Sequence, residues 1–282
     1  MKDFHQLFDR MDRAVLKTVL ATIIQVEGSA YKKEGSCMLF FEDGTQNGMI
    51  SAGCLEQDLS HHAKKVFQEG KARMVQYDLR KESDLEWGQG NGCNGVIRIL
   101  LEPVGEKEKE DFRRVKNFLD QGIQVLCLKK LEEEPENLFV PEQGEIFGQW
   151  HDSITKLEES SIQQTKFDSG VFHQLFLPKP RLFVFGAGTD AQPLVSLAAK
   201  AGFSVAVCDW RAEYCQKGNF PDADQLLIGF PAEIYKKERF TGNDFAIIRN
   251  HHFIRDKEWL SLLKKEKLRY LGVLGPGKEP NG

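Results

Sequence analysis

A strand-turn-helix signature in the last third of the chain constrains its fold more than any other feature. The apolar run Arg181-Leu182-Phe183-Val184-Phe185 leads into Gly186-Ala187-Gly188-Thr189-Asp190-Ala191, and a helix-like stretch follows to about residue 201. Residues 203–208 read as a second strand ending at Asp209, 23 positions after the first glycine (209 minus 186). A Gly-x-Gly-x-x-Ala turn between strand and helix, with an acid at that remove, is the fingerprint of a dinucleotide-binding parallel sheet. On this reading Gly186 and Gly188 let the backbone approach a pyrophosphate, and Asp209 holds ribose hydroxyls, which favours NAD over NADP. Asp190 argues for a different ligand on the same fold, because a carboxylate in the first helical turn competes with phosphate for the same N–H groups.

Further strands are expected at 226–229, 244–249 and 270–274, with helix-like stretches at 231–237 and 256–265. That alternation predicts a parallel sheet that binds ligands at the carboxyl ends of its strands. Asn250-His251-His252 falls at this edge, so His251 and His252 are the candidate acid-base residues. Neighbouring residues in extended chain point opposite ways, which argues against both holding one metal.

The first hundred residues carry two glycine-cysteine turns, Ser51-Ala52-Gly53-Cys54-Leu55-Glu56 and Gly90-Asn91-Gly92-Cys93-Asn94-Gly95. The first follows a strand-like stretch (48–51) and opens a helix-like one (55–68), so free N–H groups and a positive helix end meet a thiol. A lowered thiol pKa and nucleophilic character are expected for Cys54. Three glycines around Cys93 let backbone approach a ligand closely. Together the turns suggest a pocket for an anionic small molecule linked through sulfur or metal, with Gly53, Cys54, Glu56, Gly92 and Cys93 as its candidate contacts. Glu56 and Asp58 could pair as acid and base or balance the helix dipole. His61 and His62 read as surface or packing residues, Cys37 as core or site wall, and Lys32 as solvated or as a phosphate partner.

At 282 residues the chain is long enough for two cores. Lys and Arg number 38 against 42 Asp and Glu, with no concentrated basic segment, which argues against nucleic-acid binding. No apolar run approaches the roughly 20 residues that cross a bilayer, and residues 1–7 lack a signal-peptide core, so a soluble cytoplasmic protein is expected. Six cysteines without a Cys-x-x-Cys pair point to reduced thiols, Cys127 and Cys208 as buried small hydrophobes.

The expected class is α/β: an N-terminal α+β domain with the glycine-cysteine turns over 1–104, a middle segment and linker over 105–178, and a parallel-sheet domain over 179–282. Within the first, a helix over 2–13 and strands at 15–26, 37–41, 48–51, 73–77 and 96–101 are expected. The middle segment reads as a helix (106–121), strands at 123–128, 138–140 and 171–177, an acidic loop at 132–136 and a helix near 153–163. Pro178-Lys179-Pro180 stiffens the link to the last domain.

Residues 26–39 (Val26-Glu27-Gly28-Ser29-Ala30-Tyr31-Lys32-Lys33-Glu34-Gly35-Ser36-Cys37-Met38-Leu39), Ile50 to Glu56, Tyr77-Asp78-Leu79, Trp87-Gly88 and Gly90 to Gly95 resemble the N-terminal domain of xanthine dehydrogenase accessory proteins, the XdhC/CoxI family. Phe185 to Gly188, Asp209-Trp210-Arg211, Phe220-Pro221 and Gly272-Val273-Leu274-Gly275-Pro276 are similar to that family's Rossmann-type second domain. The likeness is weak between about 105 and 178. It implies a maturation factor that holds molybdenum cofactor (a molybdopterin) while its terminal sulfur is installed, then hands it to xanthine dehydrogenase or a related molybdenum hydroxylase, with a cysteine desulfurase as a further partner. Cys54 and Cys93 are the implied cofactor and molybdenum contacts. Two departures stand out: Asn94 where a glycine is expected, and an end at Gly282 where the family continues. The sheet is therefore expected to be truncated at one edge or closed by a partner, which includes a second copy in a homodimer. Two rival readings are an NAD-dependent oxidoreductase using His251 or His252, and a structural subunit of the hydroxylase. No iron-sulfur cysteine cluster or flavin fingerprint supports the latter.

Overall fold

The computed structural model describes residues 4–80, 94–131, 135–151, 165–168 and 170–274. The chain divides between Pro178 and Lys179 into two compact units.

The first unit is built on two antiparallel five-stranded sheets. One has the order β3-β2-β1-β5-β4, from β1 (Thr18–Ser29), β2 (Cys37–Phe41), β3 (Gln46–Gly48), β4 (Arg73–Asp78) and β5 (Asn94–Val104). Its central pair runs from Thr18 opposite Val104 to Ser29 opposite Asn94, with one irregularity between Ile23 and Gln25. Residues 18–24 of β1 are all buried because both faces of the strand are covered. Val19, Ala21 and Ile23 pack with Leu59, Ala63 and Val66 of helix α2 (Glu56–Glu69). Leu20 faces the other way, into a cluster with Phe4, Leu7, Phe8 and Met11 of α1 (Phe4–Asp12) and Phe112, Val115 and Leu119 of α3 (Glu106–Asp120). Helix α2 stops at Gly70, whose φ of 67° lets its N–H reach the Val66 carbonyl.

The same cluster takes in Val125, Cys127, Phe139, Phe147 and Phe176 from the second sheet. That sheet has the order β8-β7-β6-β10-β9, from β6 (Val125–Lys130), β7 (Asn137–Pro141), β8 (Phe147–Gly148), β9 (Lys166–Asp168) and β10 (Val171–Phe176). A polar cluster is buried alongside it. Lys129 of β6 pairs with Glu102 of β5, both in the interior, and the Gln174 amide donates to the Gly35 carbonyl (3.1 Å) and contacts the Cys37 sulfur (3.4 Å).

The second unit is a parallel sheet of order β13-β12-β11-β14-β15, from β11 (Arg181–Phe185), β12 (Ser204–Asp209), β13 (Gln225–Ile228), β14 (Phe245–Ile248) and β15 (Tyr270–Val273). Alternate residues serve opposite faces. Leu182, Val184, Val205 and Val207 pack on α4 (Ala191–Lys200), while Phe183, Phe185, Ala206 and Ile248 meet Ile234 of α5 (Pro231–Lys237) and Trp259 of α6 (Phe253–Leu263). Strand order reverses between β11 and β14, which makes their carboxyl ends the switch point where such sheets bind ligands.

The mixed α/β class and the parallel C-terminal sheet agree with the sequence reading. Most element bounds shift by a few residues, and two of the shifts have a clear cause. β1 begins at Thr18 rather than residue 15, because Val15 is fully exposed and has no partner strand. β3 ends at Gly48, because the N–H groups of Ile50 and Ser51 are taken by the Glu56 carboxylate instead of by a neighbouring strand. The helix expected near 153–163 lies outside the described residues. No described helix is long and apolar enough to cross a membrane.

Candidate functional site

In the first unit, the turn before α2 is closed by its own side chains. Glu56 accepts from the N–H groups of Ser51 (2.7 Å) and Ile50 (3.2 Å) and from the Ser51 hydroxyl, whose oxygen in turn accepts from the N–H groups of Leu55 (3.0 Å) and Gly53 (3.2 Å). Burial alone would raise the Glu56 carboxyl, but the bonds from Ser51 and Ile50 hold it below its ordinary range. Glu56 therefore organises the turn. Gly53 has φ 110°, which only glycine adopts readily, and open space where a side chain would start. Cys54 sits between these anchors, half-buried, one residue before the helix cap Leu55.

Asp58 does not pair with Glu56. It accepts from the Tyr77 hydroxyl (2.6 Å) and lies 3.4 Å from Nε2 of His62, one helical turn on. Burial lowers the His62 pKa more than Asp58 raises it, and the Tyr77 hydroxyl is held well above its ordinary value by burial and by Asp58. His62 Nδ1 is buried without a hydrogen-bond partner. Sequence alone reads His62 as a surface or packing residue. The i, i+4 spacing of Asp58 and His62 is the signal that points to their pairing. His61 is exposed and bonds the Gln57 carbonyl (3.0 Å). Cys37 contacts Thr22 and Gln174 in the buried polar cluster. Gly92 and Cys93 lie outside the described residues. Among the described ones, no group of three or more His, Cys, Asp or Glu side chains is gathered to hold a metal.

In the second unit the glycine turn sits at the carboxyl end of β11. Gly186 has φ 117°, and a Cβ there would meet the Arg249 carbonyl oxygen at 2.6 Å, so the turn presses against the end of β14. Asp209 is fully engaged. Its Oδ2 accepts from the Ala187 N–H (2.7 Å) and Arg211 Nη2 (2.9 Å), and its Oδ1 from Arg211 N–H (2.9 Å) and Nε (3.0 Å). At 2% exposure it offers no oxygen to a ribose, and the Ala187 N–H inside the glycine turn is already bonded. Burial would raise the Asp209 carboxyl, but Arg211 and these N–H groups hold it below the ordinary range.

The sign of the pH effect follows. Because the folded value is depressed, Asp209 stabilises this unit above its unfolded value of about 4 and loses that contribution as pH falls through the folded one. Urea unfolding between pH 7 and pH 3 is expected to show a steep acid loss in the native chain and a shallower one in Asp209→Asn. Equal slopes would remove Asp209 from the acid response.

Asp190 does not cap α4 with its side chain. Its carboxylate is bonded to Arg249 Nη2 and lies 3.1 Å from His251 Nε2. His251 is the one described non-glycine residue with positive φ (52°), a conformation that concentrates at functional sites. His252 instead packs edge-on against Trp210 at 5.6 Å, and the Arg211 guanidinium covers the Trp210 and Tyr214 rings. Cys208 is fully buried and its thiol is pushed well up, as burial does to Cys127, up to about 12.

Comparison with known proteins accounts for most of the chain. The XdhC and CoxI family matches residues 13–78, the BH1974-like central domain 106–177, and the XdhC Rossmann domain 182–281. The chain is 38% identical over 280 residues to a probable xanthine dehydrogenase subunit of Bacillus subtilis, covering 98% of this chain and 84% of that protein. It is 24% identical over 264 residues to the molybdenum cofactor insertion chaperone PaoD of Escherichia coli, covering 91% of this chain and 66% of that one. A crystal structure of a xanthine dehydrogenase from Bacillus halodurans superposes with a TM-score of 0.86 at 44% identity, over 98% of this chain and 82% of that one. The chain therefore belongs to the XdhC and CoxI family, a family of accessory type.

Proposed function

We propose that this chain binds molybdenum cofactor and delivers it to xanthine dehydrogenase or a related molybdenum hydroxylase, and does not itself turn over substrate. The observation that carries this reading is the Cys54 turn. Ser51 and Glu56 hold it shut from within, Gly53 leaves open space, and the thiol stands half-buried at the start of α2. The likeness to the insertion chaperone PaoD supports the same assignment.

The donor set fits the group. When bound, a molybdopterin supplies an oxidisable dithiolene and a terminal phosphate. Cys54 offers a thiol to the sulfur-rich end beside the open space at Gly53, while Ser51 and Glu56 already hold the neighbouring backbone N–H groups. Cys93 and Gly92 are the second set of contacts in this proposal. A cysteine desulfurase is the proposed source of the terminal sulfur, and the cytoplasm the proposed compartment.

Reduced protein incubated with freshly released cofactor and desalted is expected to retain pterin and molybdenum near one per chain. Cys54→Ser is expected to retain about tenfold less at limiting cofactor, equivalent to 1.4 kcal/mol. Unchanged retention by the serine variant would take Cys54 out of the site.

The names of two relatives favour a second reading, a stable subunit of the hydroxylase. Gel filtration of the mixed proteins separates the two. The subunit reading predicts co-elution at fixed stoichiometry, and the delivery reading predicts separate peaks once the hydroxylase is loaded.

A further inference from the structure

Arg249, at the carboxyl end of β14, is 5% exposed through its side chain, yet only one of its guanidinium nitrogens has a partner. Nη2 bonds the Asp190 carboxylate, while Nε and Nη1 are buried with no acceptor. A cation withdrawn from water with two unpaired donors is costly, and such a group in a folded protein calls for an explanation. Its one partner is loosely held by comparison: the Asp190 side chain is 52% exposed and does not cap the helix on which it sits.

The position of that carboxylate supplies the explanation. Asp190 Oδ1 lies 2.5 Å from where a Cβ on Gly188 would be, so the missing side chain of Gly188 makes room for an anionic oxygen over the turn. Oδ2 meets Arg249 and His251. One carboxylate thus occupies the glycine cradle, the guanidinium and the imidazole together, at the start of the ten-residue α4, where an anion is favoured. A phosphate dianion has the charge to take that place, and its several oxygens let it meet His251 and bond Arg249 through Nη2 together with one neighbouring guanidinium nitrogen, a fork that the Asp190 oxygen leaves half empty.

We propose that Arg249, His251 and the Gly188 turn form a binding site for a phosphate dianion, a free phosphate or a terminal phosphate monoester, that Asp190 fills from within the chain until the ligand displaces it. A dinucleotide is the poorer ligand. Its diester phosphates carry less charge, and Asp209, which would hold its ribose, is sequestered by Arg211 and Ala187. The proposal stands apart from the cofactor reading, because it concerns the second unit alone and is tested without molybdenum.

The test is a titration of the full chain with inorganic phosphate, followed by phosphorus NMR at constant ionic strength. Asp190→Asn, which keeps the shape of the side chain and removes its charge, is expected to bind phosphate about tenfold more tightly than the native chain, a gain of 1.4 kcal/mol. Adding Arg249→Lys, which keeps the charge but loses the fork, is expected to abolish the gain. Equal phosphate affinity in the native chain and Asp190→Asn would overturn the proposal, as would a gain that survives Arg249→Lys. Adenosine monophosphate and NAD make the remaining arms. The monophosphate binding more tightly than phosphate assigns the site to an organic monoester, and equal binding assigns it to free phosphate. Tighter binding of NAD than of either would overturn the proposal in favour of a dinucleotide.

Discussion

Gly186→Ala is expected to destabilise the C-terminal unit by about 3 kcal/mol or more, placing it among the most damaging single-methyl changes a domain can suffer. Two penalties add. At φ 117° an L side chain is strained whatever its surroundings, and the added carbon would stand 2.6 Å from the Arg249 carbonyl oxygen, 2.8 Å from its carbon and 2.9 Å from the Asn250 Cα. These are backbone atoms of the neighbouring strand's end, so no rotamer change relieves the clash. For a unit of this size each kcal/mol lowers the melting temperature by roughly 4–8 °C, so calorimetry of the full chain should resolve a large downward shift of one transition. Gly53→Ala is the internal comparison, because φ is 110° there but nothing lies within reach of the new carbon. If Gly186→Ala melts no earlier than Gly53→Ala, the close approach of turn and strand is not what requires the glycine.

The second large effect is expected at the buried pair. Lys129 lies 2% exposed and Glu102 7% exposed, the first on β6 and the second on β5. Burial pulls the lysine pKa down, but the adjacent Glu102 carboxylate outweighs it and holds the ammonium above its usual value. Lys129→Met leaves that carboxylate uncompensated in the interior, which costs about 3–5 kcal/mol. Replacing both partners by apolar residues of similar volume, Lys129→Met with Glu102→Leu, is expected to recover most of the loss, because the desolvation of two ions disappears with their attraction. Urea midpoints at unchanged slope are the measurement. A double variant as unstable as the single one would mean that packing around these side chains, rather than charge, dominates.

The parts legible in sequence are those whose physics is local. β11, its glycine turn and α4 could be read because a strand buried on both faces is a short apolar run and a tight turn into a helix needs glycine. The buried thiols of Cys127 and Cys208 were legible for the same reason, lying in apolar strands, whereas the equally buried Cys215 lies outside any strand. What could not be read is which partner each polar side chain and strand takes, near or far along the chain. Asp190 meets Arg249 across 59 positions, so a carboxylate expected to sit on helix N–H groups is instead turned onto a guanidinium. Asp209 has its fingerprint position, but the residue two places on closes over it, and no spacing rule reports that. Glu56 reads from sequence as a dipole partner or an acid-base group, and neither reading shows that it bonds the Ser51 and Ile50 N–H groups. The middle segment offered strands without a sheet, because the β6–β10 pairing that organises them joins Lys130 to Val171.

The central pairing of the first sheet has a consequence for how the chain is made. Ser29 finds its partner in Asn94 and Thr18 in Val104, so β1 acquires its longest neighbour only after a loop of some 65 residues closes. The β1–β2–β3 meander can form as soon as it leaves the ribosome, but one edge of β1 then stays open, and the face bearing Leu20 waits longer still, for Phe112 and Phe176. Over that interval of synthesis the seven residues buried in the finished β1 keep an unpaired edge and an uncovered apolar face, the kind of surface on which nascent chains pair wrongly.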